Sequence, residues 1–97
     1  MSATKHDQGK VRYEFIDPMF LEDVAKVLTF GAQKYGDWNF KKGLESGRVY
    51  SALMRHIEAW RKGEKVDAET GITHLAHAAV NLMFLHYFDR TTLKDKK

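Results

Sequence analysis

Polar residues with metal-ligand chemistry recur at helical spacing in the last third of the sequence. Asp67, Thr70, His74, His77 and Asn81 are separated by steps of three or four positions. At about 100° per residue, these steps place all five side chains within a narrow sector of one helix. An unpaired buried polar group costs on the order of 1–3 kcal/mol, so we expect the row to meet a metal, a phosphate, water or facing side chains.

Two histidines form the centre of this row. His74 and His77 are three residues apart, so both imidazoles can reach one point, and neutral imidazole binds Zn, Mn, Ni or Fe. Asp67 and Glu69, at the start of the same predicted helix, offer the oxygen ligands that Mg²⁺ or Mn²⁺ prefers, and Glu64 lies one loop away. The alternative is a structural seam of histidines that hydrogen bonds satisfy. The acidic residues at the mouth of the row favour a site.

A histidine and an arginine are adjacent on the predicted second helix. His56 lies at the edge of the apolar stripe of that helix, where it can face the histidines of the third helix, although a single such histidine is more often structural. Arg55 is suited to clamping a phosphate because its planar guanidinium donates in pairs. The alternative for Arg55 is a surface salt bridge with Glu58 or Glu22.

A cation, two aromatic rings and an amide are grouped at the end of the first predicted helix. Lys34, Tyr35, Trp38 and Asn39 could hold a nucleotide, since an aromatic ring stacks on a base and an amide reads its edge. The alternative is that the two rings cap the apolar end of the bundle. Arg12, near the N-terminus, either closes over an anionic ligand or is solvated.

The apolar pattern that must position these residues is helical throughout. A first helix begins at Asp17-Pro18 and ends at Gly36, a second spans about 46–62, and a third runs from just after Asp67 to about Phe88. The third helix is apolar around almost its whole circumference, which is typical of a buried central helix. The predicted fold is therefore all-α, with three main helices in a small bundle that homo-oligomerisation completes and an extended N-terminal arm.

Length and composition favour one domain over residues 1–97, with an arm at 1–16 and a tail at 89–97. The 97 residues are 43% hydrophobic and include no cysteine, which excludes disulfides, thiolate metal sites and a cysteine nucleophile. Neither a membrane span nor a signal peptide is apparent, so we expect a cytoplasmic protein. The net charge of +3 fits an anionic ligand or a solvated surface, and it gives little support to nucleic-acid binding.

Several segments together resemble a known family. The segments are GAQKYGDWNF and ALMRHIEAWRKGEKVDAETGITHLAHAAVN, and the similarity extends from GKVR to the end of the third helix. They resemble a phage-rich family of small proteins, the N-terminal domain of dATP/dGTP diphosphohydrolases. The resemblance implies cleavage of a purine deoxynucleoside triphosphate to the monophosphate and pyrophosphate.

The same resemblance invites comparison with MazG-type all-α pyrophosphohydrolases, which are helical dimers or tetramers. Those enzymes hold Mg²⁺ or Mn²⁺ with acidic residues on two helices, in an ExxE…ExxD pattern. This chain departs from the pattern, because histidines stand where further carboxylates would be expected. Its nearest equivalents are Glu58 and Glu64 on one side, with Asp67 and Glu69 on the other.

The sequence leads to the hypothesis of a metal-dependent nucleotide hydrolase in a homo-oligomer. The divalent ion, Mg²⁺ or Mn²⁺, would be held by His56, Asp67, Glu69, His74 and His77, with Glu64, Asp67 and Glu69 as catalytic carboxylates. The purine nucleotide would be held by Arg12, Lys34, Tyr35, Trp38, Asn39 and Arg55. The rival hypothesis is a non-catalytic protein that sequesters a nucleotide or a cyclic-nucleotide signal, which the small number of carboxylates favours.

Overall fold

The chain is helical over the part that its structure, a computed structural model, describes: residues 4, 6 and 8–91. The helices are α1 (Pro18–Tyr35), α2 (Ser46–Arg61) and α3 (His74–Thr91), with 3-10 turns at Tyr13–Phe15 and Asn39–Lys42. Over these residues there is no strand, and an isolated antiparallel bridge joins Val66 to Thr73. The all-α prediction with three main helices is confirmed. None of the described helices is long and apolar enough to cross a membrane.

The first two helices begin and end close to the predicted positions. The carboxylate of Asp17 accepts a hydrogen bond from the backbone N–H of Met19 at 3.4 Å, and Pro18 occupies the first turn of α1. Gly36 follows α1 with a φ of 97°, a left-handed conformation that favours glycine. Helix α2 ends at Arg61, within one residue of the expected boundary.

The predicted start of the third helix, just after Asp67, is wrong. Residues 67–73 form a turn instead, in which the Asp67 carboxylate accepts a hydrogen bond from the backbone N–H of Thr70 at 3.2 Å. Gly71 continues this turn with a φ of 72°, which interrupts any helix. The N-cap of α3 is Thr73, whose hydroxyl accepts a hydrogen bond from the backbone N–H of Ala76 at 3.2 Å. Asp67 therefore caps a turn of its own.

The two ends of the chain differ in part from the expected arm and tail. Within the expected arm, residues 13–15 make a single exposed 3-10 turn, and the backbone N–H of Phe15 donates to the carbonyl of Arg12 at 3.1 Å. Helix α3 continues to Thr91 and so includes the start of the expected tail. Residues 92–97 of that tail, and residues 1–3, 5 and 7 of the arm, lie outside the described residues.

The hydrophobic core lies where α1 and α2 each pack against α3. Val27 of α1 meets Ala76 and Val80 of α3, and Ala76 is completely buried. A side chain as small as that of Ala76 lets the helices approach closely. Leu75 and Leu82 on α3 remain 40% and 55% exposed, so α3 is central in the chain without being enclosed by it.

Stacked aromatic rings hold the loop between α1 and α2 against α3. The ring of Phe40 stacks on Phe84 with centroids 4.8 Å apart and meets the edge of Tyr87 at 5.2 Å. Such contacts contribute roughly 0.5–1.5 kcal/mol beyond the area they bury. They fix the position of the neighbouring Trp38 and Asn39 relative to α3.

Candidate functional site

Three histidine side chains meet between α2 and α3. The Nδ1 atoms of His56 on α2 and His74 on α3 lie 2.8 Å apart. His56 also stacks on His77, with ring centroids 4.6 Å apart and planes 9° from parallel. His56 of α2 thus faces both histidines of α3. Helical spacing causes this arrangement, because His74 and His77 lie one turn apart on the same side of α3.

Asp67 reaches this cluster through Thr70. The Thr70 hydroxyl lies 3.2 Å from the Asp67 carboxylate and 2.8 Å from Nε2 of His77. A hydroxyl has one proton, so when it donates to Asp67 its oxygen accepts from the His77 N–H. The turn at residues 67–73 therefore places the Asp67 carboxylate beside the histidines, although Asp67 does not belong to their helix. The Oδ2 atom of Asp67 lies 3.9 Å from Nε2 of His77.

Three of the described side chains form a group that could hold a metal ion. His56, Asp67 and His74 each offer one ligand atom, and these atoms all lie within 4.8 Å of one another. His74 is 5% exposed, and its Nε2 atom is buried without a hydrogen-bond partner. An oxygen of Glu64 lies 3.4 Å from that nitrogen. Two imidazoles and one carboxylate, whose ligand atoms lie this close together, fit a divalent cation.

Burial and hydrogen bonding bias these groups towards metal-binding protonation states. Burial lowers the pKa of His56 below its ordinary value, and the neighbouring His77 and His74 lower it further. Burial also lowers the pKa of His77, although the charge of Asp67 opposes the shift. Burial alone would raise the pKa of Asp67, but the hydrogen bonds from Thr70 outweigh it and lower that pKa. Near neutral pH the imidazoles of His56 and His77 are therefore neutral and the carboxylate of Asp67 is ionised.

A cleft of about 900 Å³ opens beside the histidines, between the end of α1, the following loop and α3. His56 and His77 lie on its wall together with Asn81, whose side-chain amide donates to the carbonyl of His77 at 2.9 Å. Volumes of this order suit a small-molecule ligand. The cleft therefore provides space for a ligand in contact with the histidine cluster.

The structure brings some of the predicted nucleotide residues to this cleft. Tyr35, Trp38 and Asn39 line it, and the exposed Trp38 has a left-handed backbone with a φ of 59°. An exposed aromatic residue in this strained conformation is uncommon away from functional surfaces.

The predicted cations lie elsewhere. Lys34 pairs with Glu69 at 3.2 Å, which holds that carboxylate outside the group of metal ligands. Arg12 pairs with Glu14 at 2.6 Å in the N-terminal turn. Arg55 is exposed on α2 and is not among the residues that line the cleft.

Sequence reasoning missed the apolar wall of the cleft. Phe40, Val80 and Phe84 line it, although the pattern of α3 had indicated only that its apolar residues are buried. Phe40 was visible as part of an unusually aromatic loop, yet nothing in the sequence showed that its ring would stack on Phe84. The orientation of Glu64 towards His74 was likewise not predictable from spacing.

Comparison with known proteins identifies relatives of this chain. The family model described as "dATP/dGTP diphosphohydrolase, N-terminal" matches residues 1–97. A "dATP/dGTP diphosphohydrolase" of Salmonella phage PMBT28 is 43% identical over 99 residues, which cover all of this chain and 34% of that protein. The chain thus spans about a third of the curated relative that it matches, and no solved structure matches it. Because the family model covers the whole sequence, the chain belongs to the family of dATP/dGTP diphosphohydrolase N-terminal domains.

Proposed function

We propose that this domain binds a purine deoxynucleoside triphosphate in the cleft and takes part in its hydrolysis to the monophosphate and pyrophosphate. The name of the phage relative supports this activity, although the relative is about three times longer than the chain. The observation that carries the proposal is the position of His56. It belongs both to the possible metal group and to the wall of a cleft lined by Tyr35 and Trp38.

The proposed activity depends on a divalent cation, for which the sequence suggests Mg²⁺ or Mn²⁺. His56, His74 and Asp67 would hold it, since their ligand atoms already converge. A bound cation would neutralise charge on the phosphate oxygens and lower the pKa of a bound water. Glu69 and His77, which the sequence also suggested as ligands, lie outside this group.

His77 is the proposed proton acceptor. In the reaction the oxygen of water bonds to the α-phosphorus, the bond from that phosphorus to the α,β-bridging oxygen breaks, and pyrophosphate leaves. His77 lies on the cleft wall, and burial keeps its pKa below the ordinary value, so it is neutral and able to take the proton of the water. Thr70 holds its Nε2 atom at 2.8 Å, which leaves Nδ1 as the basic nitrogen.

The aromatic rim of the cleft is the proposed base site. Trp38 is 67% exposed, so a base can stack on its ring without displacing core side chains. Asn39 adjoins it on the cleft wall and offers an amide to the edge of the base. The phosphate contacts predicted for Arg12, Lys34 and Arg55 would need these side chains to leave their present positions.

A non-catalytic nucleotide-binding protein is the second candidate function. The observation that favours it is the single carboxylate, Asp67, in the metal group. Incubation of the chain with dATP or dGTP, followed by denaturation and chromatography of the nucleotides, distinguishes the two candidates. The enzyme returns the monophosphate and pyrophosphate, whereas a sequestering protein returns the nucleotide intact. Intact nucleotide with Mg²⁺, Mn²⁺ and other divalent ions would overturn the hydrolytic proposal.

A second copy of this chain is the proposed partner for the exposed face of α3. An apolar helix face that remains exposed to water is a common site of protein–protein contact. Leu75 and Leu82, seven residues apart on α3, lie on one face and suit a helix from a second copy.

A further inference from the structure

We infer that the group formed by His56, His74 and Asp67 selects a transition ion such as Zn²⁺, Co²⁺ or Mn²⁺ over Mg²⁺, with Glu64 as the residue that orients His74. The inference rests on the metal site of the proposed function and specifies which divalent ions that site selects. It departs from Mg²⁺, which the sequence had allowed. The two imidazole nitrogens are the reason, because Mg²⁺ prefers oxygen ligands and binds imidazole poorly.

The ring nitrogens of His56 and His74 that would bind the metal are adjacent in the structure. The Nδ1 atoms of His56 and His74 are 2.8 Å apart, so they face each other across a gap that accommodates one proton. One of the two nitrogens must then present a lone pair. A cation that accepts both lone pairs can replace this proton, which then moves to the Nε2 atom of His56, so that both imidazoles stay neutral.

The tautomer of His74 determines which of its ring nitrogens has a lone pair for the metal. Its Nε2 atom is buried and lacks a hydrogen-bond partner, with an oxygen of Glu64 3.4 Å away. A proton on Nε2 faces that carboxylate, and this leaves the lone pair on Nδ1, the nitrogen that faces His56. A carboxylate behind a ligating histidine fixes its ring and raises its basicity. Glu64 is thus a positioning residue in this arrangement and not a catalytic carboxylate.

The group contains few oxygen ligands. Asp67 is the one carboxylate in the group, and Thr70 already donates two hydrogen bonds to it. The Glu69 carboxylate pairs with Lys34 and is not one of the three converging ligands. A Mg²⁺ ion would therefore have one protein oxygen, whereas Zn²⁺, Co²⁺ and Mn²⁺ bind a set of two imidazoles and one carboxylate well.

Metal binding to the metal-free chain tests this inference without any nucleotide. Isothermal titration with ZnCl₂, CoCl₂, MnCl₂ and MgCl₂ separately should give dissociation constants for Zn²⁺ and Co²⁺ at least tenfold lower than for Mg²⁺, and the visible spectrum of bound Co²⁺ should show nitrogen ligation. His56→Gln should abolish Co²⁺ binding. Glu64→Gln should weaken it by roughly tenfold to a hundredfold. The matched control, His86→Gln, removes an exposed histidine from α3, the helix that carries His74, and should leave Co²⁺ binding unchanged.

Circular dichroism verifies that each variant is folded before its affinity is compared. Binding of Mg²⁺ within tenfold of Co²⁺, or Co²⁺ binding that survives His56→Gln in a folded protein, would overturn the inference. Full Co²⁺ affinity in Glu64→Gln would overturn the positioning role. Failure of the proposed function is a different result: selective Co²⁺ binding with every deoxynucleotide returned intact supports the inference and refutes hydrolysis by this domain.

Discussion

The imidazoles of His56 and His77 lie parallel, with their centroids 4.6 Å apart, although they belong to different helices. The stacking places His56, a possible metal ligand, against His77, which contacts Thr70 and lies near Asp67. It also places two half-buried, neutral histidines in contact. Since protonating either ring would put charge beside its neighbours in a poorly hydrated site, the cluster ties the stability of the fold to pH.

The first prediction concerns stability in mildly acidic solution. Burial lowers the pKa of His56 and of His77 below the ordinary 6.5 in the folded state. As the pH is lowered below 6.5, the unfolded chain therefore binds more protons than the folded chain, and the free energy of unfolding decreases. The decrease ends once the pH is below the pKa values of the folded state. Urea unfolding of the metal-free protein, in the presence of chelator, should show this decrease.

A variant pair assigns that pH dependence to the cluster. His56→Gln should flatten the profile below pH 6.5, whereas His86→Gln, on the exposed side of α3, should leave it as in the parent. Parent and His56→Gln profiles that run parallel across this range would show that the histidine cluster does not cause the dependence.

The second prediction concerns the link between Thr70 and the cluster. Thr70→Val keeps the shape of the side chain but removes the hydroxyl that contacts both Asp67 and His77. It should lower the free energy of unfolding by about 1–3 kcal/mol, because it leaves the partly buried Nε2 atom of His77 unpaired. Thr70→Ser retains the hydroxyl and should lie much closer to the parent. Equal stability of the two variants in chemical denaturation would contradict the assigned hydrogen bonds.

The third prediction separates nucleotide binding from folding at Trp38. This residue has a φ of 59°, which costs a non-glycine residue about 1–2 kcal/mol, and its side chain is 67% exposed. Trp38→Gly should therefore leave the free energy of unfolding unchanged or raise it, while it weakens nucleotide binding roughly tenfold or more through the loss of base stacking.

Calorimetric titration with a non-hydrolysable dATP analogue, beside thermal unfolding, measures both quantities. Trp60→Ala is the control, since Trp60 is 46% exposed on α2 and does not line the cleft. Nucleotide affinity that is unaffected by Trp38→Gly would remove Trp38 from the proposed base site.

The fourth prediction concerns the second copy of the chain. Leu82→Lys places a charge at the centre of the exposed face of α3 and should convert a dimer or larger assembly to monomer. Sedimentation velocity of parent and variant over a range of concentrations measures this directly. A parent chain that sediments as a monomer at the highest concentration would refute the proposed pairing.

The sequence predicted the elements of this fold better than the connections between them. Asp17 and Gly36 bound α1 as expected, because their chemistry is local and independent of packing. Asp67 could cap either a helix or a turn, and Gly71, with its left-handed backbone, resolved the choice in favour of the turn. The spacing of His74 and His77 correctly placed them on one face. The contact with His56, 18 residues away, depends on how α2 packs on α3, which periodicity does not specify.

The most direct test of the central claim is chromatographic analysis of the products that the metal-loaded chain forms from dATP and dGTP. The account predicts equal amounts of deoxynucleoside monophosphate and pyrophosphate from the parent and from His86→Gln, and at least a hundredfold less from a folded His56→Gln. Deoxynucleotides recovered intact from the parent with every divalent ion, or full turnover by His56→Gln, would contradict it.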